Sequence, residues 1–163
     1  RGGLPMPDPE LMRQAMHCCK NLTMEPVLRV YLALGEALAD KDVSAVKSRQ
    51  LELAQSLDKV KLNEEQLSYL RSSVAEIDSA DMASSRKSYG LISEALMGTL
   101  EPSQAGTLDL AIAYSRRADA HWFQEGVETK SPYGDGINSY SWGTRDEVKA
   151  ADEVREKERG SRP

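Results

Sequence analysis

Apolar residues recur at steps of three and four through most of this chain, so its elements can be read in order. The opening Arg1-Gly-Gly-Leu-Pro-Met-Pro-Asp8 reads as a linker, residues 1–8, whose last residue caps a helix. Pro9 suits the first turn of that helix. A short helix is predicted from about Pro9 to Asn21. A second, from about Glu25 to Ala39, carries Val27, Leu28, Val30, Tyr31, Leu32, Leu34 and Leu38 nearly all round, which predicts a central place in a bundle. Asp42 caps the next helix, where Val43, Val46, Leu53, Leu57 and Val60 repeat at helical spacing. Asn63 then precedes Glu64-Glu65-Gln66, residues that favour a helix N-terminus, and Leu67, Leu70, Val74 and Ile77 follow at steps of three and four. Asp81 opens one more helix with Met82, Tyr89, Ile92, Leu96 and Leu100 inward, closed by Pro102.

The period then changes. In Thr107–Tyr114, Leu108, Leu110, Ile112 and Tyr114 alternate with Asp109, Ala111 and Ala113, a repeat of two that signals a strand. From Glu125 to Thr144 the chain is rich in Gly, Ser, Pro, Tyr and Trp, as in an ordered loop or hairpin. The last stretch, Arg145–Pro163, holds six basic and six acidic residues and few apolar ones, and is expected to be a solvated, disordered tail. The expected fold is therefore mainly α. An antiparallel up-and-down helical bundle, with short connections setting neighbours antiparallel, spans residues 9–144, and a small β and loop lobe sits at about 107–143.

Composition narrows the function classes. A net charge of −5 argues against a dedicated nucleic-acid binder, which needs clustered basic charge. No stretch reaches the roughly 20 apolar residues that span a bilayer, so direct membrane insertion is not expected. One Phe against six Met means that aliphatic side chains and Met fill most of the interior. The chain starts at Arg1, so the native start is expected upstream, in a longer protein. Cys18 and Cys19 are the only cysteines. In a helix their Cα atoms lie about 3.8 Å apart, below the roughly 4.4–6.8 Å of a disulfide.

Candidate chemistry is sparse. Met12, Met16 and Cys19 fall at i, i+4 and i+7 on one helical face, beside His17, and could hold a soft monovalent metal such as Cu(I) or Ag(I). The plainer reading, which is favoured, is that they pack as hydrophobes. A closed zinc site needs four ligands; the two Cys and two His show no ligand spacing, with His121 a hundred residues away. Asp119-Ala-His121 hints at acid–base work, yet no nucleophile elbow or oxyanion loop accompanies it, so His121 is read as a loop residue. Gly134-Asp-Gly136 reads as a turn. No catalytic residue and no firmly bound cofactor is expected, and the chain is read as not an enzyme. Trp122, Tyr133, Tyr140 and Trp142 are concentrated in one region and are the candidates for partner binding. The competing reading is that they close the end of the bundle.

One set of motifs resembles a known family. Tyr31-Leu32-Ala33-Leu34-Gly35-Glu36-Ala37-Leu38 is similar to a Tyr-Leu-x-Leu-Lys-(Asp/Glu)-Ala-Leu helix. Trp122-Phe123, Ser131-Pro132-Tyr133-Gly134 and Trp142-Gly143 follow in the order of that family's Gly-Ala-x-Trp-Leu, Asn-Pro-Tyr-Tyr-Gly and Cys-Gly landmarks. The family is a C-terminal helical-bundle domain of unknown function on periplasmic adaptor (membrane-fusion) subunits of heavy-metal RND-type efflux pumps, also found as a stand-alone extracytoplasmic protein. The resemblance covers roughly residues 25–144. It implies a periplasmic location and other domains or subunits of an efflux complex as partners. The departures fall on sulfur. Where the family has Cys-Pro-Met this chain reads about Ala113-Tyr114-Ser115, and where it has a closing Met this chain has Asn138 or Ser139. Thioether and thiolate suit Cu(I) and Ag(I), and these replacements do not, so the family's metal site is expected to be lost. The alternative is a helical interaction domain of a secreted or cell-surface protein unrelated to metals.

Overall fold

The computed structural model describes residues 9–100, 105, 107–125, 130–134, 138–141 and 145–161. Side chains are described for residues 24–100, 105, 107–125, 130–134 and 147–158. The linker at 1–8, Pro102 and Trp142 lie outside them. Among the described residues the order is α1 (Pro9–Ala39), α2 (Val43–Ser56), a 3-10 turn (Leu57–Lys59), α3 (Glu64–Ala75), α4 (Met82–Thr99), β1 (Leu110–Ser115), β2 (Ala120–Glu125), β3 (Asn138–Ser141) and α5 (Arg145–Ser161). The chain is thus mainly helical with a small antiparallel sheet.

Three helix starts are built as their capping residues predict. The side chains of Asp42, Asn63 and Asp81 accept from the backbone N–H of Ala45, Gln66 and Ser84, closing donors that each first turn leaves open. At the far end of α3, Gln50 on α2 donates to the carbonyls of both Val74 and Ile77, at 2.9 and 2.6 Å. α1 ends in a Schellman turn: Asp42 N–H reaches Ala37 O and Lys41 N–H reaches Leu38 O. Lys41 stands in the left-handed position of that turn with φ 57°, where glycine is usual and a Cβ costs about 1 kcal/mol.

The two helices expected at 9–21 and 25–39 are one helix of 31 residues that runs through Pro26. Proline removes one intrahelical donor. The turn around it is held from outside, because Met24, Val27, Leu28 and Tyr31 are all buried in the core. α1 packs on α2 and α4, α3 packs on α2 and α4, and α1 and α4 both meet β2. The core runs through all of these elements, from Leu28, Leu34 and Leu38 on α1 to Ile92 and Leu96 on α4 and Trp122 and Phe123 on β2.

The sheet has the order β2-β1-β3, both pairings antiparallel. β1 begins at Leu110, three residues after the predicted start. β2 takes His121 into a strand, opposite Tyr114, and corrects the loop assignment. The alternation that marks β1 is missing in β2, where Trp122, Phe123 and Gln124 are all buried, so no period of two was there to be read.

The expected solvated tail at 145–163 is corrected as well. Its residues 145–161 form α5, which packs on β1 and β3. Two residues at i and i+4 anchor it. Val148 is fully buried, and Asp152 receives Arg116 Nε and Nη2 on its two carboxylate oxygens at 3.0 Å each. Glu156 engages the same guanidinium from the next turn. Few apolar residues suffice, because one valine and one bidentate ion pair do the docking.

Two substitutions test this packing. A Cβ on Gly35 would run into the Tyr89 hydroxyl, so Gly35→Ala is expected to lower stability by about 1–3 kcal/mol in urea unfolding, although alanine is the better helix former. Val148→Asp is expected to release α5, losing about 2 kcal/mol. In hydrogen exchange its amides should lose protection while those of α1–α4 keep theirs.

Candidate functional site

Several aromatic side chains of the core meet around one buried hydroxyl. Tyr31 and Tyr89 stack with ring centroids 4.7 Å apart, and Phe123 meets Tyr31 edge-on at 6.2 Å. Tyr31 Oη lies 2.6 Å from Ser93 Oγ and accepts the backbone N–H of Phe123 at 2.9 Å. Tyr89 Oη donates to the carbonyl of Tyr31 at 3.0 Å, and Ser93 Oγ donates to the carbonyl of Tyr89. Tyr133 completes the group. Its hydroxyl donates to the His121 carbonyl, and its ring stands edge-on to Trp122 at 5.7 Å and to Tyr89 at 6.1 Å.

Burial sets the chemistry of these phenols. It pushes Tyr31 up to about 12 and Tyr89 and Tyr133 well above their ordinary value, because a phenolate is poorly solvated there. They stay protonated at neutral pH and serve as fixed donors and acceptors, not as bases. Tyr114 on β1 is raised to about 12, first by burial and then by donating to the carboxylate of Asp119. That donation, followed by Lys149 nearby, holds Asp119 below the usual carboxylate range.

The aromatic cluster read as a partner surface is largely interior. Trp122 is 2% exposed and its indole N–H is taken by Gln124 at 3.3 Å, so it offers neither area nor a polar handle. Tyr133 is half-buried against Tyr89 and Trp122. Both rings contact other core aromatics, and Tyr133 also lines a cleft beside α4. Tyr140 lies in β3 opposite Ala113, with its side chain outside the described residues. Met12, Met16, His17 and Cys19 lie in the first turns of α1, their side chains likewise outside the described residues. Asp119 and His121 do not form an acid–base pair. His121 Nδ1 faces Glu94 at 3.3 Å, and its Nε2 is buried without a partner among the described residues. Gly134 has φ +101° and ends a turn from Ser131, while Asp135 and Gly136 of the expected turn lie outside the described residues.

A cleft missed by sequence reasoning runs between α4 and the β1–β2 turn. One lobe, about 390 Å³, is lined by Lys41, Arg86, Ser115, Arg117, Tyr133 and Gly134 among others. The adjoining lobe, about 510 Å³, shares Arg86, Ala118 and Tyr133 and continues along Ala83, Gly90, Leu91 and Ala120. Its cations come from three separate parts of the chain and show no local pattern. The one available signal was Lys41 standing where a helix end favours glycine.

No family model, no curated protein and no solved structure matches the chain.

The depressed Asp119 carboxyl gives a pH test. Its contribution is present above the unfolded value of about 4 and is lost as pH falls through the lower folded value. Wild type should therefore have the higher urea midpoint than Asp119→Asn at pH 7, with the gap narrowing as pH falls below about 4. Asparagine tolerates the φ of 48° at this position, so backbone strain does not enter the comparison.

Proposed function

We propose that this chain is a non-catalytic accessory domain of a periplasmic adaptor in a heavy-metal efflux system, acting through contacts with other domains or subunits and not through metal capture. The reading takes α1–α4 as an up-and-down bundle, in keeping with connections as short as Asp40-Lys41-Asp42 between α1 and α2. It starts from the motif resemblance, and one observation carries it beyond motif order. The places the family gives to Cys and Met are Ala113 and Ser115, which alternate onto one face of β1, and Ser115 stands directly opposite Asn138, a candidate for the closing Met, in the β1–β3 register. Positions 23 residues apart in sequence thus become neighbours on one patch of sheet, as ligands of one soft ion would have to be.

The residues now on that patch have other work. Ser115 Oγ accepts the N–H of Ala118 and so holds the β1–β2 turn, while Ala113 is fully buried. Neither is a soft donor. Ser115 also lines the lobe that holds Lys41, Arg86 and Arg117, and positive charge there opposes a metal cation. The landmarks that do match, Tyr31, Trp122 and Tyr133, belong to the single aromatic group around Tyr31 Oη. In this reading the supporting core is kept and the sulfur is gone. A non-catalytic role agrees with phenols held protonated and with Asp119 and His121 engaged by separate partners.

Sulfur can be put back. In a Cys18→Ser, Cys19→Ser background the domain should leave Cu(I) with a competing chelator, whereas Ala113→Cys, Ser115→Met and Asn138→Met together should withdraw one equivalent. If the folded triple variant binds no better than its parent, the alignment with the efflux family is wrong. Tight binding by the parent itself would sink the claim that this domain works without metal.

A further inference from the structure

We propose that the cleft between α4 and the β1–β2 turn binds a small organic oxyanion, with its charged head among Lys41, Arg86 and Arg117 and its apolar part along Ala83, Gly90, Leu91 and Ala120. The inference stands independently of any link to efflux systems.

Charge favours an anion in this cleft. The chain as a whole carries −5, yet the 390 Å³ lobe is lined by three cations and, among the described residues, by no carboxylate. Like charges brought to one cavity raise its potential and its attraction for an anion. The nearest acids line the adjoining lobe and are already engaged: Asp119 by Tyr114 and Lys149, Glu94 by His121.

Arg86 lines both lobes and reaches Leu38 O through Nη2 at 3.4 Å, a long bond to the end of α1. Its Nε is buried and, among the described residues, has no acceptor. A guanidinium whose N–H groups are not all taken by protein acceptors keeps donors in reserve for an oxyanion. Space is kept beside it. Gly134 lies so close that a Cβ there would sit 3.2 Å from Arg86 Nη1.

Lys41, left-handed at the helix end, costs stability that glycine would not, and it stands on the rim of the cavity. Strain retained next to a cavity is a mark of a site. The adjoining lobe supplies the rest. Ala83, Gly90, Ala118 and Ala120 are its small residues and Leu91 is exposed along it, with Lys87, Glu94 and Asp119 also on its lining. A cleft with a few convergent cations at one end and apolar small residues at the other suits an anion with a short hydrocarbon tail.

Backbone amide shifts of the intact chain, recorded at fixed ionic strength, test this with hexyl phosphate, hexanoate, inorganic phosphate and hexyltrimethylammonium. Saturable shifts are expected for the hexyl anions at residues 38–42, 86–91, 115–120 and 133–134, and the lower midpoint identifies the preferred head group. Inorganic phosphate should bind the same residues at least tenfold more weakly; equal affinity would overturn the role given to the adjoining lobe. Lys41→Gly with Arg117→Gln, both at exposed positions, should weaken binding at least tenfold. Arg86→Gln should weaken it further, and should it fail to fold the double variant still decides. Lys41→Gly alone should raise the urea midpoint while lowering affinity, which a purely structural lysine would not do. Identical shifts with the cationic probe, or affinity unchanged in the double variant, would overturn the proposal.

Discussion

The joint between helices and sheet depends on the Tyr31 hydroxyl. It satisfies the backbone N–H of Phe123 from β2 while bonding Ser93 on α4, so three elements share one oxygen. A buried N–H left without an acceptor costs about 1–3 kcal/mol, and the strand has no helix-side substitute to offer. Everything around it follows from getting this ring to depth. Tyr89 stacks on it and donates to its carbonyl, and that approach requires the absence of a side chain at Gly35 one turn later on α1. Glycine at that place admits a second tyrosine. The result is a hydrogen-bonded aromatic stack, which specifies geometry more narrowly than methyl groups do.

A second tie fixes the segment entering the sheet. Glu25 on α1 is buried and accepts from Thr107 Oγ1 at 2.6 Å and from Arg29 Nη2 at 2.6 Å. Those bonds, Thr107 first, hold its carboxyl below the ordinary range. β1 is thereby positioned from its start by α1, along its length by β2 and β3, and from outside by α5. The β1–β2 turn is held on one side by Arg116 to Asp152 and Glu156 and on the other by Tyr114 to Asp119. Rigid support on both flanks of a four-residue turn is what gives the neighbouring cleft a defined shape.

Much of this was legible in the sequence where the signal is local. Asp42, Asn63 and Asp81 marked helix starts because a cap acts within three residues, and β1 showed itself by its period of two. Legibility failed where a distant partner decides. Pro26 and the polar stretch before Met24 argue for a break, but packing around Tyr31 carries α1 through. β2 has no alternation, since Trp122 and Phe123 are both buried. α5 has too little apolar surface to announce itself, and Arg116, thirty-six residues earlier, supplies its docking charge. The aromatic cluster was read partly as surface because Trp and Tyr serve both roles; the bond from the indole to Gln124 decides for the interior, and nothing near Trp122 in sequence signals it.

The two functional statements meet at Ser115. If a soft cation once sat on this patch of β1 and β3, the lost sulfur alone would leave a neutral vestige, a place for nothing in particular. The surroundings are not neutral. Lys41, Arg86 and Arg117 gather around the same serine, and at close range in a partly enclosed cavity their field disfavours any cation far more than it would in open water. Charge of that sign does not arise from losing ligands, because deletion of thiols adds no arginine. It has to be built, and one of its members, Lys41, is held at a cost to the fold. The charge gathered beside Ser115 therefore favours an oxyanion over a cation on this side of β1.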